Sequence, residues 1–146
     1  MEKKLPIGIQ SFEKVIRNDY LYADKTVYIY KLVHDSIPYF LSRPRRFGKS
    51  LLLSTLKAYW EGKKELFRDL KIAALEADNP TAWRSYPVFY FDFNGANYNS
   101  ASALESSIDE QLRDWENEYD IADPTGSLSE RFRNIMMSGS KPRSYI

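Results

Sequence analysis

Between Ile37 and Trp60 the chain passes through an apolar stretch, a basic loop ending Phe47-Gly48-Lys49-Ser50, and an amphipathic stretch. By pattern this predicts a strand, a loop of phosphate size and a helix, in the order a nucleoside triphosphate site needs. Ile37 to Leu41 is a compact apolar run and predicts a buried strand. Lys49 to Trp60 predicts a helix with Leu52, Leu53, Leu56 and Trp60 on its inner face, ended by Gly62 near a C′ position. A Walker A loop reads G-x-x-x-x-G-K-[ST]. Its backbone N–H groups curl around the phosphates, its lysine faces the β and γ phosphates, and its hydroxyl binds Mg²⁺. Gly48, Lys49 and Ser50 match, whereas Arg43 holds the first glycine position. Glycine there permits backbone angles that arginine adopts at a cost. The expected cofactor-binding set is Arg45, Arg46, Phe47, Gly48, Lys49, Ser50 and Leu51, with ATP and Mg²⁺ as ligands and Ser50 on the metal.

Much other chemistry is excluded by composition. Cysteine is absent, which removes disulfides and thiolate metal sites, and the one histidine, His34, cannot build a metal cluster. The formal net charge of +1 gives no global case for nucleic acid or an anionic membrane. Aromatics reach 15%, which reads as core packing with polar tips outward. No apolar core of signal-peptide length follows Met1, and no stretch approaches the ~20 apolar residues of a membrane span. The chain reads as cytoplasmic and soluble, without a membrane partner.

Elsewhere Ser11 should cap a short helix to Arg17, with Phe12, Val15 and Ile16 on one face. Tyr20 to Tyr22 is a short extended candidate. Asp24 sits where an N-cap belongs, ahead of a helix bearing Val27, Tyr30, Val33 and His34. A second short helix is expected from Lys63 to Leu70. Pro87 to Phe93 predicts a second strand, closed by Asn94-Gly95. Ser102 with Glu105, and Ser127 with Glu130, have capping-box spacing before two amphipathic helices. The first carries Leu104, Ile108, Leu112, Trp115 and Tyr119, and the second Phe132, Ile135 and Met136. The short basic spots Lys63-Lys64 and Arg131-Arg133 read as surface. The alternation predicts an α/β, P-loop NTPase-like layered domain with a parallel sheet, incomplete because two strong strands are too few. Residues 1–137 form that domain and 138–146 a polar, mobile tail.

Several separated motifs together resemble the predicted AAA-ATPase-like family of bacteria. They are Leu5-Pro6-Ile7-Gly8-Ile9-Gln10-Ser11-Phe12, then Tyr22-Ala23-Asp24-Lys25-Thr26, then Phe40 to Leu51 through the basic loop. Tyr59 to Phe67 and Tyr86 to Phe93 look like it too. The family usually carries arginine at the first P-loop position, so the resemblance implies that Arg43 does not count against the site. The loop is also similar to the G-P-R-R-x-G-K-[ST] loop of archaeal-type ATPases. Members often carry a fused C-terminal nuclease-like domain of PD-(D/E)xK type, which implies nucleic acid as a partner of full-length relatives. In related ATPases an adenine pocket often forms ahead of the P-loop. Phe12, Tyr22, Asp24 and the backbone of Ile7 to Gln10 are the corresponding candidates here, set against core packing and helix capping.

Hydrolysis needs a Walker B acid on Mg²⁺ and a group that orients water. Asp92 is a Mg²⁺ candidate only if its strand lies beside the P-loop strand; otherwise it is structural. The resemblance places the true Walker B strand just past Met137, so the chain is expected to be an N-terminal part of such an ATPase. A different class of function stays open: a non-catalytic module whose Arg43, Arg45, Arg46 and Lys49 meet a nucleic-acid backbone or an acidic partner. Steep loss of affinity with salt would mark that alternative.

Overall fold

The protein is described by a computed structural model covering residues 3–35, 37–42, 44, 48–93 and 99–139. The chain divides into two units, Met1–Val88 and Phe89–Ile146.

In the first unit, α1 (Phe12–Arg17) starts at Ser11, whose hydroxyl accepts the Lys14 N–H, as its cap position predicts. Phe12 and Val15 are its buried residues. The helix α2 (Thr26–His34) follows, then α3 (Lys49–Trp60), a 3₁₀ turn (Lys64–Phe67) and α4 (Lys71–Leu75). α3 packs on α1 and α2, and α2 also packs on α4. Their shared core holds Phe12, Ile29, Ala58, Tyr59, Phe67 and Ile72. Its aromatic rings form a continuous series: Phe12 lies 4.8 Å from Phe67, which lies 5.1 Å from Trp83. Leu53, expected on the inner face of α3, is 45% exposed, and Thr55 is buried instead.

Two connections fix the ends of these helices. The α3 helix closes in a Schellman motif, with Gly62 at φ 73 donating to the Tyr59 carbonyl (3.0 Å) and Lys63 to that of Ala58 (3.1 Å). At the other connection, Asp24 does more than a cap. It is not the N-cap of α2, which is Lys25, but its Oδ1 accepts the N–H (2.9 Å) and hydroxyl (2.7 Å) of Thr26. Its Oδ2 accepts the Lys71 N–H at 2.8 Å, while Thr26 Oγ1 accepts the Ile72 N–H at 3.1 Å. Thus α4, which has no side-chain bond at its own N-cap, has its first donors satisfied from the start of α2.

The second unit is a helical hairpin of α5 (Ala101–Glu118) and α6 (Leu128–Gly139). Its Ser127–Glu130 capping box forms as the spacing predicts: Glu130 Oε2 accepts the Ser127 N–H (2.8 Å), and Ser127 Oγ accepts the Glu130 N–H (3.4 Å). The Ser102–Glu105 box does not form, because α5 starts earlier, on Ser100, whose hydroxyl accepts the Ala103 N–H. Arg131, expected at the surface, is buried. Its guanidinium grips Glu116 bidentately at 2.7 and 2.8 Å and also bonds Asp109, which ties α6 to α5.

The expected α/β domain with a parallel sheet is corrected by the structure: among the described residues there are helices, turns and extended coil, and no strand. Ile37 to Leu41 was to be a buried strand, yet Ile37 is 62% and Phe40 94% exposed. Pro87 to Phe93 keeps the alternation of a strand without a ladder. Phe89 and Phe91 both face α5 and α6, with Trp115 at 5.1 and 4.9 Å respectively. The backbone of Asp92 turns to a side chain, its N–H donating to Gln111 Oε1 at 3.3 Å and its carbonyl accepting from Gln111 Nε2 at 3.5 Å. Helix side chains therefore take the place of a neighbouring strand. The tail expected at 138–146 overlaps α6 at Ser138 and Gly139; residues 140–146 lie outside the described residues.

Candidate functional site

Four of the expected cofactor-binding residues, Gly48, Lys49, Ser50 and Leu51, make up the start of α3. Arg45, Arg46 and Phe47 lie outside the described residues, as does Arg43. Gly48 is the N-cap of α3 in the left-handed conformation, φ 78 and ψ 18, with no side-chain cap bond. Its carbonyl accepts the Leu52 N–H at 2.9 Å, so the first helical bond is closed. In a trans peptide the N–H of Lys49 then points the opposite way, off the N-terminal end of the helix. A left-handed residue leading into helical ones gives a concave set of N–H groups, and the helix dipole adds positive potential there. Among the described residues, a Cβ built on Gly48 would meet nothing within 4 Å.

The turn rests on hydroxyl contacts that the motif reading did not single out. Thr55, 1% exposed, donates to the Leu51 carbonyl at 2.8 Å, and the adjacent Ser54 Oγ accepts the Phe12 N–H at 2.9 Å. Tyr22 packs edge-on against Phe12 at 5.3 Å. Burial pushes the Tyr22 phenol above its ordinary pKa, and the Thr55 hydroxyl acts the other way. A Ser-Thr pair inside an otherwise apolar helix was the available signal. Phe12 and Tyr22 thus pack with the core, as the packing reading has it, whereas Asp24 joins the starts of α2 and α4 without being the N-cap of α2.

Asp92 belongs to the other unit, exposed and bonded through its backbone to Gln111. Among the described residues no group of three or more His, Asp or Glu side chains is placed to hold a metal ion. His34 ends α2, its Nδ1 donating to the Tyr30 carbonyl at 2.8 Å. A second polar cluster is structural: buried Glu76 accepts the Tyr59 phenol at 2.7 Å and the Asn79 amide at 2.6 Å. Burial and the facing carboxylate push the Tyr59 phenol far up. Among the described residues no helix is long and apolar enough to cross a membrane.

The described part of the motif is thus a left-handed glycine at a helix start with a Lys-Ser pair in the first turn. The chain belongs to the AAA-ATPase-like family, described as predicted AAA-ATPase, whose match spans residues 6–143. It is also similar to a protein of Azotobacter chroococcum mcd 1 described as "Uncharacterized protein in vnfD 5'region". The two are 45% identical over 111 residues, covering 75% of this chain and 21% of that protein. The chain therefore spans about a fifth of that relative's length. No solved structure matches.

Proposed function

We propose that the chain binds a Mg²⁺-nucleoside triphosphate, ATP by family, at the start of α3. The observation that carries the reading is Gly48, left-handed at the N-cap of a helix without a side-chain cap and followed directly by Lys49 and Ser50. The N–H groups after Gly48 would take phosphate oxygens, the Lys49 ammonium would face the outer phosphates, and the Ser50 hydroxyl would be a Mg²⁺ ligand. Membership in a family described as predicted AAA-ATPase supports the choice of ATP. The reading is of binding; turnover further requires an acid on Mg²⁺ and a group that orients water. Action in the cytoplasm accords with a sequence free of cysteine.

Calorimetric titration of the full chain with Mg²⁺-ATP tests it, with Lys49→Ala alongside. A charged hydrogen bond is worth about 1.5–3 kcal/mol, so Lys49→Ala should weaken binding by roughly 10- to 100-fold. Equal affinity of the two proteins would remove Lys49 from the site and end the proposal.

A further inference from the structure

One chain of hydrogen bonds leads from the core to the turn just described. The Thr55 hydroxyl donates to the Leu51 carbonyl at 2.8 Å. That carbonyl shares its peptide unit with the Leu52 N–H, which donates to the Gly48 carbonyl at 2.9 Å. Hydrogen bonds at both ends of a peptide group polarise it and fix its plane. The neighbouring Ser54 holds the first N–H of α1 at 2.9 Å, which sets α3 axially against that helix. Thr55 is 1% exposed, so water cannot stand in for its hydroxyl.

We infer that Thr55 is a positioning residue for phosphate binding: it orients the Leu51–Leu52 peptide, and through it the Gly48 carbonyl, so that the N–H groups of the first turn face the anion. The inference rests on the nucleotide reading above and deepens it. It also separates Thr55 from its structural neighbours. A threonine hydroxyl bonded four residues back inside a helix adds little to helix stability and bends the helix, so its value lies in where it aims the turn.

The test is calorimetric titration of Mg²⁺-ATP, and separately of Mg²⁺-tripolyphosphate, into the full chain and its Lys49→Ala, Thr55→Val, Thr55→Ser and Thr55→Ala variants. Thermal melts confirm that each variant is folded at the titration temperature. Thr55→Val keeps shape and loses the hydroxyl. It should weaken both ligands by about tenfold, which is 1.4 kcal/mol, whereas Thr55→Ser should stay within about twofold of the parent. Equal loss on tripolyphosphate places the effect at the phosphates, since that ligand has no base. If Thr55→Val does not fold, Thr55→Ala carries the test, with the same expected weakening of about tenfold on both ligands. Unchanged affinity in the folded Thr55→Val and Thr55→Ala variants, with Lys49→Ala still defective, would overturn the inference and leave the nucleotide reading standing. Loss confined to ATP would also overturn it. Failure of the parent chain to bind either ligand would end both.

Discussion

The close approach at Gly62 makes a sharp prediction because the molecule supplies its own control. Gly62→Ala adds a methyl at φ 73, and the built Cβ stands 2.8 Å from the Trp83 carbonyl oxygen and 3.3 Å from the Ser85 nitrogen. Both are backbone atoms and cannot rotate aside. Moving them would strain the Tyr86 N–H bond to the Trp60 carbonyl, 2.7 Å long, which fastens this segment to the end of α3. Gly8 has nearly the same backbone, φ 75, with nothing among the described residues within 4 Å of its Cβ. The left-handed conformation costs a residue with a Cβ about 1–2 kcal/mol, offset by about 0.4–1 kcal/mol from the stiffer unfolded chain. Gly8→Ala should therefore cost about 1 kcal/mol. Gly62→Ala carries the same cost plus about 1–3 kcal/mol of overpacking, for a total of about 2–4 kcal/mol. At about 4–8 °C per kcal/mol for a unit of this size, the two variants should melt on the order of 10 °C or more apart. Urea unfolding followed by tryptophan fluorescence reads the seam directly, since Trp60 and Trp83 border it. Asp19 and Asp120 hold the equivalent positions after α1 and α5 at φ 52, so a Cβ alone is tolerable there. Costs for Gly62→Ala and Gly8→Ala within about 0.5 kcal/mol of each other would refute the contact argument.

Two further outcomes follow from the ionic groups. Burial pushes the Asp24 carboxyl up, but the Thr26 hydroxyl and the N–H groups of Lys71 and Thr26 outweigh it and hold the pKa below the usual carboxylate value. A lowered folded pKa gives stability that is fully present above the unfolded value, near about 4, and is lost as pH falls through the folded value. Asp24→Asn should thus be less stable than the parent at neutral pH, with the gap narrowing in acid titrations of the melting temperature; a constant gap would remove Asp24 from the acid limb. In the second unit, Arg131→Met leaves Glu116, 5% exposed, without its partner and should cost about 3–5 kcal/mol. Adding Glu116→Leu should recover most of that loss in urea melts, and a double variant no better than the single would show that packing, not charge, dominates there.

What could be read along the chain was what neighbours in sequence decide. Ser11, the Ser127–Glu130 box and Gly62 act within four residues, and each sits where its spacing predicts. Gly48, Lys49 and Ser50 were legible for the same reason, as consecutive residues at a helix start. The strands were not. Alternation says which residues share a face, and Phe89 and Phe91 do share one, but it cannot say whether a second strand supplies the ladder. Arg131 reads as surface until Glu116, fifteen residues earlier, arrives beside it. The second role of Asp24 depends on Lys71, 47 residues away, and no local pattern announces that.

The shared capping of α2 and α4 also couples the two helices in opening. A five-residue helix cannot offset the cost of its own nucleus, and α4 has no side-chain cap with which to try. Its first two N–H groups, of Lys71 and Ile72, are accepted by Asp24 and Thr26, so capping of α4 requires closure of a loop of more than forty residues. The helix is thus a record of α2 having docked, and native-state hydrogen exchange should show the Lys71 and Ile72 N–H groups opening together with the start of α2.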